Sequence, residues 1–490
     1  MMIPTLFKLT SSISEQLPFA VTPVKPTPLR DSFLLTYSRS CGDLLGLPAN
    51  FWQSPEFKTV LAGEKLPKGG VYTAQVYAGH QFGQFVPQLG DGRAISIGEI
   101  SNHVGESYEI QLKGSGLTPY SRMGDGRAVL RSCIREFLAS EAMAALNIPT
   151  TRALSIVGSN EEVYRERVEQ GAMMARVAQS HIRFGHFEYW FHRNKIPELT
   201  HLANYCIEQF YPEANTQELP YLYLFEQIVQ RTATLIAQWQ AHGFAHGVMN
   251  TDNMSILGLT IDYGPFGFLD DYNPGFICNH SDSSGRYAFE EQPSIGLWNL
   301  NALGLTFSTW LSVQQITTAL KAYEPALVKR YLSIMRQKLG LANWQASDQQ
   351  LLGQLLAIMA EQKADYTLTF RLLNSVDVDD VNNANCDALL QLFRCQKDIK
   401  KWLVTYRARL QEDALRKDER VKEQNKVNAL YVLRNYLAEL AIKEAESGCY
   451  HTLEKLHSVL STPFTWQRDS ELFAEKAPNW GKKLEVSCSS

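Results

Sequence analysis

No stretch of this chain approaches the ~18 consecutive apolar residues that a membrane-crossing helix needs, so no membrane partner is expected. The opening residues, MMIPTLFKLTSSISEQLPF, lack the basic start, long apolar run and small-residue cleavage site of a secretory leader, and they lack the arginines of a transit peptide. The expectation is a cytoplasmic protein. Charge of one sign is also missing: 47 Lys plus Arg stand against 51 Asp plus Glu, a net charge of −4. That balance gives no general attraction to nucleic acid or to an anionic bilayer, so any anion site has to be built locally. The eight cysteines (Cys41, Cys133, Cys206, Cys278, Cys386, Cys395, Cys449 and Cys488) include no pair at the close spacing of a metal clamp or a CxxC motif. Most read as small buried hydrophobes; Cys488 differs, because it stands in the polar tail VSCSS. Internal repeats and low-complexity linkers are absent too, so a single cooperative unit, and a monomer, is expected.

What is present is globular composition, with 45% hydrophobic and 20% charged residues over 490 positions, enough for one large bilobal domain or two to three smaller ones. Residues 1–80 are mixed, Pro-rich at 18–28, and read as an N-terminal extension with a helical start and loops. Arg93 to Ile100 and Ser107 to Lys113 flank the turn-like SNHVG, which predicts a β-hairpin. In the second strand Tyr108, Ile110 and Leu112 share one face, while Glu109, Gln111 and Lys113 share the other. Lys113 is therefore expected to point away from the apolar core of its sheet. A Gly-rich loop (114–126) precedes a helical pattern through Leu130, Cys133, Ile134, Phe137 and Leu138 that ends before Ile148-Pro149. Strand-like segments follow at Ala153–Val157 and Gly171–Val177, and a long helical stretch over 221–243 ends at Gly243. Past about residue 300 nearly everything reads as helix, and the charged run at 411–426 reads as a solvated helix face. The fold class expected is α+β.

Five features carry the chemistry. Leu89-Gly90-Asp91-Gly92-Arg93 is a Gly-containing turn between strands, where backbone N–H groups approach phosphates closely and Arg93 adds a cation; it serves equally well as an ordinary hairpin turn. Lys113 on a strand and Glu136 on the next helix suit a pair that holds an ammonium against a phosphate; the other reading is a surface lysine and a solvent-facing glutamate. Arg176 and Arg183, seven residues apart, suit bidentate phosphate binding, or else pair with surface carboxylates. His246-Gly-Val-Met-Asn-Thr-Asp-Asn253 and, nine residues on, Asp262-Tyr-Gly264 close the set. In this order the features resemble those of protein kinases, in which the Asn and the second Asp bind Mg²⁺. Asn253 and Asp262 stand at those metal positions, and hard oxygens on two loops with substrate phosphates completing the shell suit Mg²⁺. One position departs: Val248 stands where a kinase keeps its catalytic Asp, and an apolar side chain neither accepts a proton nor orients a hydroxyl. Asp252, beside the metal-binding Asn, is the candidate in its place, against the plainer reading of a turn or cap residue. If attack falls on the α-phosphate, Lys113, Arg176 and Arg183 are placed to stabilise the departing pyrophosphate.

Longer motifs narrow the resemblance. Tyr77 to Gly83 (YAGHQFG), Gln88 to Ala94, Leu112 to Gly116, Arg122 to Ala128, Arg176 to Gly185, His246 to Met254 and Asp262 to Asp270 resemble the SelO (YdiU) family, protein adenylyltransferases with a pseudokinase fold. The resemblance extends along nearly the whole chain. It implies a kinase-like bilobal fold: an extension at 1–80, a first lobe at 81–175, a second at 176–300, and a helical extension with a Cys-containing tail at 301–490. It implies ATP as substrate, bound flipped so that its α-phosphate faces a Ser, Thr or Tyr hydroxyl of a target protein. Gly90, Gly92, Arg93, Lys113, Asp125, Gly126, Arg176, Arg183 and Asp262 are then the nucleotide contacts, Glu136 holds Lys113, Asn253 and Asp262 bind Mg²⁺ (Mn²⁺ meets the same ligands), and Asp252 is the proton acceptor. UTP as donor, conventional phosphorylation and a catalytically dead scaffold stay open. Eukaryotic members carry selenocysteine near the C-terminus, and Cys488 occupies the comparable place, with Glu485 where a second cysteine of a CxxC-type pair would stand. The corresponding expectation is a reversible Cys278–Cys488 disulfide that makes activity redox-sensitive. The family's Asn-Pro is Asn428-Ala429 here, away from every expected ligand.

Overall fold

A computed structural model describes residues 6–380 and 385–486. Nine strands form one sheet: β1 (Val21–Pro23), β2 (Phe33–Tyr37), β3 (Thr73–Gln81), β4 (Gln84–Gly90), β5 (Ala94–Ser101), β6 (Ser107–Lys113), β7 (Ala128–Val129), β8 (Arg152–Tyr164) and β9 (Val168–Ala178). Their order is β1-β3-β5-β6-β9-β8-β2, with β4 on β3 and β7 on β9. Every pairing is antiparallel.

The alternation in β6 decides what each face of the sheet does. Ile110 and Leu112, with Met173, Ala175 and Val177 of β9, face an apolar cluster built with Phe7, Leu45 and Phe57. On the opposite face Ala172 and Met174 meet Ile134, Phe137 and Leu138 of the helix Leu130–Ala145. Each fully buried side chain of that helix contributes about 1.5–3 kcal/mol, which fixes the helix on the sheet. Arg176 takes the next place along this second face, and Gln111 stands opposite it in register. The sheet face under the helix thus turns from apolar to charged at one end, and the site begins there.

Residues 6–80, expected as an extension of helix and loops, supply three strands of the sheet, and β3 runs across the expected boundary at residue 80. β1 has three residues and β2 reads FLLTY, so neither displays the alternation that would reveal a strand. β8 and β9 are longer than the sequence suggested and continue as a hairpin to Tyr164 and Val168.

The rest of the chain is mainly helical. The helix Pro220–His242 ends on Gly243 in the left-handed conformation (φ 68°). The chain then enters a two-stranded ribbon, β10 (Phe244–Ala245) with β11 (Gly267–Phe268). That ribbon pins both ends of the intervening loop, which carries Val248, Asp252, Asn253 and Asp262. The charged run at 411–426 covers the break after the helix Gln396–Gln411 and the whole of the helix Lys417–Asn425. It is not wholly a solvated face: Arg420 is buried and donates to the carbonyls of Leu373 and Val376. Among the described residues no helix is long and apolar enough to cross a membrane.

Candidate active site

The charged end of the sheet is organised around two carboxylates. Lys113, at the end of β6, contacts Glu136 of the helix Leu130–Ala145 and lies 3.4 Å from Asp262 Oδ1. Glu136 is buried, so it is not the solvent-facing glutamate that its helix position equally allowed. Arg176 ion-pairs with Asp262, approaches Glu136 Oε1 at 3.7 Å, and donates from Nη2 to Gln111 Oε1 at 2.7 Å. Arg183 takes the other oxygen of Asp262, donates to the Asp252 carbonyl at 2.9 Å, and lies over the Tyr77 ring at 4.8 Å. Burial alone would raise the Asp262 carboxyl; Arg183, Arg176 and Lys113 hold it well below the usual range instead. Asp262 also has φ of +57°, uncommon for a residue with a side chain, and its neighbours hold it there.

This cluster is the floor of a cleft of about 600 Å³. Its lining carries seven cations (Arg93, Lys113, Arg122, Arg127, Arg165, Arg176 and Arg183) against four carboxylates (Asp91, Asp125, Asp252 and Asp262). An acidic chain has thus gathered a local excess of positive charge, the arrangement that receives a polyphosphate. Gly90, Gly92 and Arg93 form one wall, and Arg93 is exposed to the cleft. Asp91 of the same turn faces inward, accepts from the Gln75 N–H at 3.0 Å, and is pushed up to about 6 by burial. The opposite wall is the Gly-rich loop, tied to that turn by Thr118 Oγ1 on the Asp91 carbonyl at 2.7 Å. Gly126 has φ of +72°, and a Cβ there would lie 2.1 Å from the Gly116 carbonyl, so only glycine fits. Asp125 is exposed at the mouth and held by Arg165 at 2.8 Å. Tyr77, Gln111, Asp91 and Arg165 were not singled out in the sequence; for Gln111 the signal was its place on the same strand face as Lys113.

Asp252 differs from Asp262 in every respect but its residue type. It lines the cleft beside Val248 and Asn253, and its side chain accepts from Gln81 Nε2 at 3.2 Å, while Oδ1 has no hydrogen-bond partner. Burial pushes it up to about 6, against the opposing effects of the Gln81 bond and Arg183. Asn253 donates to the Val248 carbonyl at 3.0 Å, which orients its amide. Among the described residues no group of three His, Cys, Asp or Glu side chains holds a metal by itself. Asn253 and Asp262 offer hard oxygens on one cleft, and a divalent cation there takes further ligands from phosphate, as suits Mg²⁺.

Cys278 is buried, and its thiol donates to the Pro265 carbonyl at 2.8 Å. Cys488 lies outside the described residues. The segment before it docks near Cys278: the His280 N–H donates to the Val486 carbonyl at 2.9 Å, Lys482 pairs with Asp271 at 2.6 Å, and Cys278 and residues 484–486 line one cavity of about 120 Å³.

An antiparallel sheet that ends in a cationic cleft, with one saturated and one sparsely bonded carboxylate, suits an enzyme that handles phosphorylated substrates. A profile described as protein adenylyltransferase SelO matches residues 7–461. The chain is 49% identical over 481 residues to protein nucleotidyltransferase YdiU of Enterobacter sp. (strain 638), covering 98% of this chain and 99% of that protein. It is 50% identical over 475 residues to the protein of that name from Pectobacterium atrosepticum, covering 97% of each, and 49% identical over 480 residues to the one from Yersinia pseudotuberculosis, covering 98% of each. The chain belongs to the SelO family and is a protein nucleotidyltransferase.

Proposed function

We propose that the cleft transfers AMP from ATP to Ser, Thr or Tyr hydroxyls of target proteins, within a kinase-like bilobal fold whose first lobe is built on the nine-stranded sheet and whose second carries the loop between β10 and β11. The observation that carries this reading is the pairing of Val248 with Asp252: the place of a kinase base is apolar, and an open buried carboxylate stands four residues further on. Asp252 accepts the proton of the acceptor hydroxyl, whose oxygen attacks the α-phosphorus. The bond from that phosphorus to the bridging oxygen breaks, and pyrophosphate leaves with its charge facing Lys113, Arg176 and Arg183. That order has the β- and γ-phosphates on the cationic floor, opposite to their pose in a kinase. Gly90, Gly92, Arg93, Asp125 and Gly126 line the remaining length of the nucleotide, and Glu136 keeps Lys113 in place. Asn253 and Asp262 hold Mg²⁺ or Mn²⁺, which when bound neutralises phosphate charge.

Incubation with α-labelled and, separately, γ-labelled ATP tests the reading. Label retained on protein from the α position alone is the expected result. Label from γ alone means phosphorylation by a displaced base, and none from either means a scaffold; α-labelled UTP run in parallel reports on UMP transfer. A cytoplasmic enzyme accords with cysteines 41, 133 and 206, which are buried and form no disulfide, and a monomer is part of the same reading. The docking of residues 482–486 beside Cys278 further supports reversible Cys278–Cys488 pairing. Non-reducing peptide mapping after mild oxidation is expected to recover that crosslink, and its absence removes the pairing.

A further inference from the structure

The end of β3 is stitched to the loop that carries Asp252, residue by residue. The His80 N–H donates to Thr251 Oγ1 at 2.7 Å, Gln81 Nε2 to Asp252 Oδ2 at 3.2 Å, and the Phe82 N–H to Asn250 Oδ1 at 3.2 Å. Glu188 ties the stitch down, with one oxygen on Thr251 and the other on His80 Nδ1 at 2.5 Å. Gly79 and Gln81, two apart on one strand, face the same way, and both meet Asp252. A Cβ at Gly79 would lie 2.6 Å from Asp252 Oδ1 and 2.9 Å from its Cβ, so the carboxylate rests directly on bare backbone. That contact leaves Oδ1 buried and without a hydrogen-bond partner, while Gln81 holds the other oxygen.

We infer that Gly79 and Gln81 form a seat for Asp252, in which bare Gly79 backbone receives the buried Oδ1 and Gln81 is a positioning residue that pins Oδ2, so that the carboxylate is held in one setting toward the cleft it lines. The inference rests on the reading of Asp252 as the base. It follows from geometry: a carboxylate with one oxygen against backbone and the other on an amide donor has a single rotational setting, and a base misplaced by an ångström loses about 10²-fold in rate. Gln81 is not itself a lining residue of the cleft and meets it at Asp252, so its removal acts through Asp252.

The test is single-turnover transfer from α-labelled ATP at saturating nucleotide, comparing Gln81→Leu, Gln81→Glu and Gly79→Ala with wild type. ATP affinity by calorimetry and melting temperature are measured on each variant. Gln81→Glu keeps the shape and removes the N–H donor; with Gln81→Leu it is expected to lower the rate about 10- to 100-fold, with ATP affinity within about twofold of wild type and an unchanged melting temperature. Gly79→Ala is expected to lower the rate at least as far. A wild-type rate in Gln81→Glu overturns the seat, and so does a loss of rate that tracks lost ATP affinity or lost thermal stability. Asp252→Ala, run alongside, separates the two ideas. Full activity in that variant removes the base itself; an inactive Asp252→Ala beside fully active Gln81 variants removes the seat alone.

Discussion

Asp262 and Asp252 are ten residues apart on one loop and line one cleft, yet they are opposite kinds of carboxylate. Asp262 is saturated: Lys113, Arg176 and Arg183 converge on it and hold it ionised. Asp252 has one amide donor and an unpartnered oxygen, and burial pushes it up to about 6. The environment, rather than the residue type, divides them: Asp262 is a fixed anion that organises three cations, and Asp252 is the one the proposed function gives the proton. The cations around Asp262 are also those that the proposed function places on the pyrophosphate.

The contrast breaks most visibly at Asp262→Ala. Transfer is expected to fall below detection, because the proposed metal ligand is gone. The three cations then face one another without their anion, a loss of about 3 kcal/mol, the low end of the range for removing one partner of a buried ion pair, since the cleft admits water. Denaturant unfolding measures it, and ATP is expected to restore more stability to this variant than to wild type. A variant as stable and active as wild type contradicts the assignment. Asp252→Ala is expected to behave differently: the chemical step falls about 10²–10⁴-fold, while ATP affinity and stability hardly change. Lost affinity with normal turnover would count against the base. Glu136→Gln is expected to have a smaller effect, about tenfold on kcat/KM, because Lys113 loses its charged partner but keeps Asp262. Equal losses in Glu136→Gln and Asp262→Ala would erase the distinction between holding the cation and organising the floor.

The parts of this site that sequence makes visible are those set by local order. The alternation of β6 placed Lys113 on the polar face, the helical spacing after it carried Glu136, and the eight residues from His246 to Asn253 displayed a missing base and a substitute. The seat of Asp252 was not visible, because Gln81 is 171 positions away and a glycine before a histidine says nothing of what rests on it. The same applies to β1 and β2, whose membership of the sheet depends on partners more than fifty positions away. Arg420 looked like one more charge on a wet helix, and only the tertiary contacts with Leu373 and Val376 make it a buried brace.

Lys338 supplies the control on burial that the comparison needs. It sits at the end of the helix Tyr323–Lys338, its ammonium 4.9 Å from the Phe370 ring centroid and 5.7 Å from that of Tyr366, and it makes no ion pair among the described residues. Burial lowers it from 10.5 to about 7, a larger displacement than that of Asp252, yet it lines no cleft among those described. A shifted pKa alone therefore does not mark a site; what distinguishes Asp252 is its place in the lining of the cationic cleft. Between pH 7 and 10.5 the unfolded chain binds a proton at Lys338 that the folded chain does not, so this group makes stability rise with pH across that window. Below about 7 both states carry the proton and the folded state bears the full penalty of the buried charge, offset in part by the two rings. Lys338→Met is expected to leave transfer unchanged, to raise stability at pH 7 by about 1–2 kcal/mol, and to flatten the rise toward pH 10. Unfolding by urea at a series of pH values measures both. A variant less stable than wild type at pH 7 would show that the rings bind the ammonium more strongly than burial penalises it.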